Sequence, residues 1–287
     1  MIGAGLMGAQ IGAEYALAGF EVVLVNRSGA AAEAARERCR NAVRFLSDNE
    51  LADPVAAENA QLLIHCSVDL AGACNGAEII VESIAEDLAQ KVEVLTRAAA
   101  AAPAAIIASN TSSIPIGSIG EGIGAAGRTI GTHYWNPPTL MPLVEVIPST
   151  ATSPEVVARV ISLLTGMGKE PVQVADIPGF VWNRLQMALI REAVSLVGKG
   201  AATAEDIDLI LRHGLGRRWS QIGPFETMAL GGRQTFAGVA RLIFDELDCK
   251  LAPEALLEVE PPPAEILAAA RQRRDTALVR FLKEDRA

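Results

Sequence analysis

Gly3-Ala4-Gly5-Leu6-Met7-Gly8 forms a G-x-G-x-x-G pattern at the start of the chain, and this stretch decides the fold. Apolar residues at helical spacing follow it, and residues 21–25 (EVVLV) then predict a strand. In this arrangement Gly3 permits a tight turn, Gly5 lets a pyrophosphate approach the backbone, and Gly8 lets the helix pack closely on the strand. The phosphate would lie on the helix N-terminus. A glycine-rich turn without a ligand is the alternative, but the helix and strand that follow favour a dinucleotide site.

The rest of the first half of the chain predicts a Rossmann-type, mostly parallel sheet. Apolar stretches at 62–66, 78–82 and 104–108 are separated by helical stretches, which gives the β-α-β order of an α/β protein. Such a fold needs a central strand directly before the glycine pattern, where only Met1-Ile2 stand. We therefore expect this strand to begin upstream of Met1, or to have lost its first residues in this chain.

The end of the second strand bears on the choice of cofactor. In a dinucleotide fold an acidic residue at that place accepts the ribose hydroxyls, but here the residues are Asn26-Arg27-Ser28. Asn26 can still hydrogen-bond a ribose without repelling a 2′-phosphate, and Arg27 could pair with one. We predict NAD as the cofactor, with NADP as the alternative that Asn26 and Arg27 leave open.

A histidine between two predicted strands is the candidate catalytic base. Residues 129–132 (TIGT) predict a buried strand, His133 follows it, and residues 143–147 (LVEVI) predict a second strand that contains Glu145. A buried carboxylate needs a partner, and an imidazole oriented by a carboxylate moves protons near neutral pH. We expect the turn at Asn136-Pro137-Pro138 to lift His133 out of the sheet edge. A packed core histidine beside a solvated Glu145 is the alternative.

A polar cluster follows another predicted strand. Residues 109–113 (SNTSS) come directly after the apolar stretch 104–108, at the carboxyl end of a strand, where ligands bind in open α/β sheets. This placement makes the cluster a candidate ligand-binding segment. From the residues alone, helix capping by Ser112 and Ser113 is the simpler interpretation.

Composition excludes several functional classes. The chain has 287 residues, 50% of them hydrophobic, which is enough to form one large domain or two domains of ordinary size. Its formal net charge of −9 argues against nucleic acid or an anionic membrane as the main partner. The four cysteines form no CxxC pair and show no metal-ligand spacing, so we expect free thiols and no metal. Without a run of ~18 apolar residues or a signal peptide, we expect a cytoplasmic protein that acts on a small molecule.

The pattern of alternating strands and helices ends at Asp176-Ile177-Pro178-Gly179, and we place the domain boundary there. Residues 1–176 would form the dinucleotide-binding domain. Residues 177–287, in which the strand pattern stops, would form a smaller all-α domain for substrate binding and dimerisation. Asn183 lies off the apolar stripe of its first helix, where an ordinary surface residue is the alternative. Several apolar helix faces in this domain lead us to expect a homodimer.

Six ordered stretches are more specific than the glycine pattern alone. They are GAGLMGAQIG (3–12), IIVESIAEDLAQKVEV (79–94), ASNTSSI (108–114), GTHYWNPPTLMPLVEV (131–146), IPGFVWNRLQ (177–186) and GLGRRWSQIGPFETMALGG (214–232). With them the chain resembles the L-3-hydroxyacyl-CoA dehydrogenase family along nearly all its length. The resemblance implies that His133 is the catalytic base, that Glu145 orients it, and that Ser112 and Asn183 contact substrate and cofactor. It also implies cofactor contacts at Gly5, Leu6, Met7, Gly8, Glu86, Lys91 and Asn136.

The activity that the resemblance implies is NAD(P)-dependent interconversion of an L-3-hydroxyacyl-CoA and its 3-ketoacyl-CoA, a reaction of fatty acid metabolism. Departures from the family leave the substrate open. The family's glycine-rich C-terminal segment has no counterpart, and residues 266–275 (ILAAARQRRD) instead resemble the L-gulonate 3-dehydrogenase, or lambda-crystallin, branch. No CoA-binding lysine can be placed in the helical stretch after the second strand. The alternatives are a dehydrogenase of a small L-3-hydroxy acid and a non-catalytic, crystallin-like nucleotide-binding protein.

Overall fold

The computed structural model describes residues 1–285, and its elements alternate between strands and helices. The strands within these residues are β1 Val22–Val25, β2 Ile64–Ser67, β3 Ile79–Glu82, β4 Ile106–Ser109, β5 Thr129–Tyr134, β6 Leu143–Pro148 and β7 Glu170–Gln173. The α-helices are α1 Leu6–Leu17, α2 Gly29–Asp48, α3 Pro54–Leu62, α4 Leu70–Cys74, α5 Leu88–Ala101, α6 Ile116–Gly122, α7 Pro154–Gly166, α8 Trp182–Gly198, α9 Ala204–Ile210, α10 Gly216–Trp219, α11 Pro224–Gly231, α12 Arg233–Ile243 and α13 Ala264–Asp285.

The strands form a Rossmann-type sheet whose central strand is reduced to the bridges of Ile2. The pairs β1–β2, β3–β4, β4–β5 and β6–β7 are parallel, whereas β5 and β6 are antiparallel. The two parts of the sheet, β1-β2 and β3-β4-β5-β6-β7, are joined through Ile2, which bridges Val25 on one side and Glu82 on the other. The predicted α/β class with a mostly parallel sheet is therefore confirmed.

The central strand is short, and it lies where the glycine pattern requires a strand. The Met1 amino group donates a hydrogen bond to the carbonyl oxygen of Val23 (2.9 Å), which continues the contacts of Ile2 by one residue. Next to Met1 lies a cavity of about 790 Å³ whose lining includes Val22 and Val23 of β1 and Ile79 of β3. A longer central strand would contact these residues of β1 and β3.

The turn after the central strand cannot carry side chains. Gly3 has a φ of 81°, which L side chains rarely adopt, and a Cβ there would lie 2.7 Å from the carbonyl oxygen of Ser83. A Cβ on Gly8 would lie 2.5 Å from the carbonyl oxygen of Gly3. Helix α1 can therefore begin directly against the end of the sheet only because both positions are glycine.

Helices cover both faces of the sheet, because successive strand residues point to opposite sides. Leu24 and Val81 belong to the core that includes residues of α1, α2 and α7. Their chain neighbours Val25 and Ile80 belong to the core that includes residues of α5 and α6. The result is the helix–sheet–helix layering of an α/β fold, in which the carboxyl ends of the parallel strands meet at one edge.

The chain divides into two compact units, and the division differs from the predicted boundary at residue 177. The first unit contains Met1–Val181 together with the chain from Leu267 onward, and the second contains Trp182–Ile266. Most of α13 thus joins the first unit, because its apolar side chains enter a small core there. That core contains Leu46, Leu51, Leu140, Leu278, Val279 and Leu282.

The second unit is helical. It contains α8 to α12, and a π-helical turn at Leu211–Leu215 joins α9 to α10. Helix α9 begins with a capping box between Thr203 and Asp206. Several large apolar side chains of this unit are exposed: Leu185, Phe225, Leu230, Leu242, Phe244 and Leu257.

Lengthening the central strand is expected to stabilise the protein. We expect a Met-Val-Ala-Val extension ahead of Met1 to raise Tm by about 3–6 °C, because the added residues would occupy the cavity and gain ladder hydrogen bonds. Differential scanning calorimetry measures the change, with a Met-Gly-Ser-Gly extension as the matched control. Equal Tm values for the two extended proteins would contradict this expectation.

Candidate active site

His133 and Glu145 face each other across the antiparallel pair β5–β6. They are directly opposite in the ladder, so their side chains emerge on the same face of the sheet. Nδ1 of His133 lies 2.7 Å from Oε2 of Glu145, and the two residues are only 4% and 2% exposed. Because a carboxylate only accepts hydrogen bonds, Nδ1 carries the proton and Nε2 is left as the basic nitrogen. The structure thus brings the predicted pair together.

His133 lies inside β5 rather than in the turn that follows it. The expectation that Asn136 and the two prolines lift His133 out of the sheet was wrong, because β6 continues the ladder as far as Tyr134. The turn instead reverses the chain direction, and this reversal brings Glu145 opposite His133.

The second oxygen of Glu145 is also bound. Oε1 accepts a hydrogen bond from the backbone amide of Val181 (3.1 Å). The ring of Phe180 packs against the imidazole of His133, with 5.6 Å between the ring centroids. Neither Phe180 nor Val181 was predicted from the sequence as a site residue, because a backbone donor and a buried ring leave no polar signature.

Ser112 approaches the other nitrogen of the same imidazole. Its hydroxyl oxygen lies 3.1 Å from Nε2 of His133. Oε1 of Glu86 holds the loop that carries Ser112 by accepting hydrogen bonds from the hydroxyl of Thr111 (2.6 Å) and from the next two backbone amides (2.9 and 2.8 Å). Burial raises the pKa of Glu86, but the hydrogen bonds from this loop outweigh that effect and hold the pKa below its ordinary value. Glu86, predicted as a cofactor contact, therefore positions Ser112.

Lys91 is buried and forms ion pairs with Glu82 and Glu86. Its ammonium donates to Oε1 of Glu82 (2.7 Å) and lies 3.5 Å from Oε2 of Glu86. Glu82, at the end of β3, also accepts a hydrogen bond from the hydroxyl of Ser109 (2.6 Å), at the end of β4. Lys91 was predicted to contact the cofactor, but it has no exposed surface. The structure places it where it ties two strand ends together and supports Glu86.

Asn110 connects the loop of Ser112 to the strand of His133. Its side-chain oxygen accepts a hydrogen bond from the backbone amide of Tyr134 (2.9 Å), and its amide nitrogen donates to the hydroxyl of Ser83 (3.2 Å). Sequence reasoning missed this residue, because an asparagine after a strand is typical of an ordinary turn.

The predicted phosphate contacts lie at the carboxyl end of the central strand. Gly5 is exposed, and apart from its chain neighbours no atom lies within 4 Å of the place where its Cβ would be, so a pyrophosphate can approach. Leu6 begins α1 and is exposed, and Met7 is partly buried. The N-terminus of α1 receives no side-chain cap, so its first amides can bind a phosphate. These features fit the pyrophosphate of NAD.

Asn26 and Arg27 follow β1 at the same edge of the sheet. The Asn26 amide nitrogen donates to the carbonyl oxygen of Ala31 in α2 (3.3 Å), which leaves the side-chain oxygen to accept from a ribose hydroxyl. Ser28 caps α2 by accepting a hydrogen bond from the Ala31 amide (3.3 Å). Arg27 is exposed beside them. This arrangement fits the adenosine ribose of NAD, and the exposed Arg27 could pair with a further phosphate.

Two other predicted residues lie in different elements. Asn136 is exposed in the turn after β5. Asn183 lies in the first turn of α8, in the second unit, and its contact with substrate stays a prediction. Among residues 1–285, no group of three His, Cys, Asp or Glu side chains could hold a metal ion, and no helix has the length and apolar character of a membrane span.

Comparisons with known proteins identify similar sequences over nearly the whole chain. Residues 1–177 match the model of the 3-hydroxyacyl-CoA dehydrogenase NAD binding domain, and residues 179–259 match that of the 3-hydroxyacyl-CoA dehydrogenase C-terminal domain. A probable 3-hydroxybutyryl-CoA dehydrogenase of Bacillus subtilis is 35% identical over 258 residues, which cover 89% of this chain and 88% of the relative. Lambda-crystallin of Oryctolagus cuniculus is 32% identical over 301 residues, covering 99% and 94%.

A solved structure is similar over almost the whole chain. The crystal structure of 5-formyl-3-hydroxy-2-methylpyridine 4-carboxylic acid 5-dehydrogenase, described as an NAD⁺ dependent dismutase, matches with a TM-score of 0.88 at 30% identity. The match covers 98% of this chain and 97% of that one. NAD is thus the cofactor, and the reaction is the NAD-dependent oxidation of a CH–OH group. Because the two matched models together span most of its length, the chain belongs to the 3-hydroxyacyl-CoA dehydrogenase family.

Proposed function

We propose that this protein interconverts an L-3-hydroxyacyl-CoA and its 3-ketoacyl-CoA with NAD, as a step of fatty acid metabolism. The observation that supports this most directly is the hydrogen-bonded series Ser112–His133–Glu145. It lies at the carboxyl edge of the same sheet whose central strand leads into the glycine turn, where open α/β sheets bind their ligands. A base and a nucleotide site at one edge are what oxidation of an alcohol requires.

His133 acts as the base through Nε2. The Nδ1 proton is held by Glu145, so Nε2 accepts the proton of the substrate hydroxyl, and the buried carboxylate stabilises the imidazolium that forms. Bound NAD supplies a nicotinamide ring that accepts hydride from the carbon bearing this hydroxyl. In the reverse direction the imidazolium returns its proton to the oxygen of the ketone.

The other predicted residues position the reactants. The Ser112 hydroxyl, 3.1 Å from Nε2 of His133, is placed to hydrogen-bond the reacting oxygen, and Asn183 would donate to that oxygen by analogy with the family motif. Positioning of this kind contributes on the order of several kcal/mol to catalysis. We propose Glu86 and Asn136 as cofactor contacts, whereas Lys91 acts through its ion pair with Glu86.

A small L-3-hydroxy acid such as L-gulonate is the second candidate substrate. CoA carries phosphates that need cationic partners, yet the four arginines of α2 already donate to protein acceptors. These pairs are Arg36 with Glu33, Arg38 with Ala4, Arg40 with Gln61 and Arg44 with Glu37. In addition, the similarity to lambda-crystallin covers 99% of the chain, and the solved structure with a TM-score of 0.88 belongs to an enzyme named for a pyridine carboxylate.

We also propose a homodimer that forms through the second unit. Phe225, Leu230, Leu242 and Phe244 are 79%, 78%, 78% and 68% exposed. A monomer in water rarely leaves so many large apolar side chains uncovered, whereas a two-fold interface would bury the same surface on both copies.

The compartment that we propose is the cytoplasm. All four cysteines are free, and two of them, Cys39 and Cys74, are buried. Burial raises the pKa of the Cys39 thiol to about 12, which keeps it protonated and unreactive. Free thiols without disulfides are typical of a reducing compartment.

Removing the imidazole is expected to abolish turnover while cofactor binding persists. We expect His133→Ala to lower kcat by about 10³-fold or more, and Glu145→Gln by about 10²-fold, because the base is lost in one case and unsupported in the other. Steady-state kinetics, NADH fluorescence titration and circular dichroism measure turnover, binding and fold. His65→Ala, at an exposed histidine of β2, is the matched control and should keep the original kcat. Wild-type turnover in His133→Ala would exclude His133 as the base.

A substrate panel is expected to separate the candidate functions. We expect kcat/KM for acetoacetyl-CoA reduction to exceed that for L-gulonate oxidation by about 10-fold or more, and NAD(H) to be used in preference to NADP(H). The reverse order of substrates would favour the small hydroxy acid. Absence of any NADH absorbance change with every substrate would contradict both dehydrogenase proposals and favour a non-catalytic nucleotide-binding protein.

A charge on the apolar surface of the second unit is expected to break the dimer. We expect Leu242→Glu to yield a monomer by multi-angle light scattering, because the carboxylate would be buried without a partner in the interface. Leu62→Glu, at a position of α3 in the first unit that is 72% exposed, is the matched control and should stay dimeric. A wild-type protein that is monomeric throughout the concentration range would contradict the proposal.

A further inference from the structure

Phe180 has a backbone conformation that its side chain disfavours. Its φ is 50°, in the left-handed region, where a bulky residue is strained, and it is nevertheless wholly buried. The other non-glycine residue with positive φ among residues 1–285 is Glu50, just beyond the C-terminus of α2 at the surface, where this conformation is common. Strain that persists in a buried segment indicates that the surroundings require this conformation.

The conformation directs a backbone amide at the catalytic carboxylate. The amide of Phe180 donates to the carbonyl oxygen of Ile177 (2.9 Å), which closes a turn, and the next amide, that of Val181, donates to Oε1 of Glu145 (3.1 Å). At the other end of the segment, the carboxylate of Asp176 accepts hydrogen bonds from two amides at the start of α6 (2.8 and 2.9 Å). Residues 176–181 are therefore tied down at both ends.

The side chain of Phe180 contacts the other member of the catalytic pair. Its ring lies 5.6 Å from the imidazole of His133 between centroids, at an interplanar angle of 56°. Two consecutive residues thus contact the pair, Phe180 through its ring on His133 and Val181 through its amide on Glu145.

The residue type at position 180 supports a role for both the backbone conformation and the aromatic ring. Glycine would adopt this φ without strain, as Gly179 does immediately before it with a φ of 75°, but glycine has no ring to place against His133. A residue that merely filled the core could do so from an ordinary backbone conformation. A role for both the positive φ and the ring explains why a strained phenylalanine is found at this position.

We propose that Phe180 is a positioning residue for the His133–Glu145 pair. Its backbone aims the Val181 amide at Glu145 Oε1, which fixes the carboxylate, and its ring restricts rotation of the imidazole. It acts through the pair and does not touch the reacting atoms. The proposal rests on the proposed role of His133 as the catalytic base.

Two substitutions remove the ring and differ in how well they accept the positive φ. Phe180→Leu keeps most of the buried volume without the ring, and Phe180→Gly accepts the positive φ freely but leaves the imidazole uncovered. We expect both to lower kcat by about 10- to 100-fold while the KM values for NAD and substrate stay within about 2-fold, because alignment is lost and the binding surfaces remain. Leu95→Ala, at a wholly buried position of the same core, is the matched control: it should lower Tm and leave kcat unchanged.

A second readout does not depend on turnover. The ¹⁵N NMR shifts of the imidazole report its tautomer, and with three histidines in the chain the His133 signals can be assigned from a His133→Asn spectrum. We expect a single Nδ1–H tautomer in the wild type and in Leu95→Ala, and a mixture in both Phe180 variants. A tautomer change in a protein that turns over no substrate would sustain the positioning role and contradict the proposed function. Wild-type kcat together with an unchanged tautomer in both Phe180 variants would overturn the proposal.

Discussion

The need to satisfy a carboxylate buried between two strands determines the geometry of the site. Glu145 is 2% exposed, and an ionised carboxylate there costs on the order of several kcal/mol unless its oxygens find donors. One oxygen binds the proton on Nδ1 of His133, and the other binds the amide of Val181. The same requirement therefore fixes the tautomer of the imidazole. It also fixes the position of the chain at Val181. An imidazole held in this way presents its basic nitrogen to Ser112.

A second buried carboxylate has the corresponding effect at the neighbouring strand ends. Glu82 receives donors from Lys91 and from the hydroxyl of Ser109, so the ends of β3 and β4 are joined through one ion. Glu86, next to the same ammonium, holds the loop that carries Ser112. The loop is thus held by Glu86, which lies against the buried ion pair of Lys91 and Glu82. The position of Ser112 therefore depends on contacts at the ends of β3 and β4.

Sequence reasoning succeeded where one residue type alone satisfies a constraint. Gly3 and Gly8 predicted the fold because a Cβ would clash at both positions, and a buried glutamate predicted a donor partner. It failed where the deciding quantity is long-range geometry: nothing local showed that β6 runs antiparallel to β5, so His133 was expected outside the sheet. The tail was assigned to the second domain because an apolar helix face does not show which core it enters. Phe180 was missed because backbone conformation and a backbone amide have no side-chain signature.

The acid–base pair and the substrate choice are physically separable. The contacts of Ser112, His133 and Glu145 define where an oxygen and its proton lie, but they do not reach the remainder of a substrate. A free hydroxy acid places its carboxylate within a few bonds of the reacting carbon, so donors close to His133 would recognise it. A CoA thioester carries its phosphates much farther away and needs cations there. The pair that we propose could therefore serve either substrate, and the position of positive charge relative to it would decide between them.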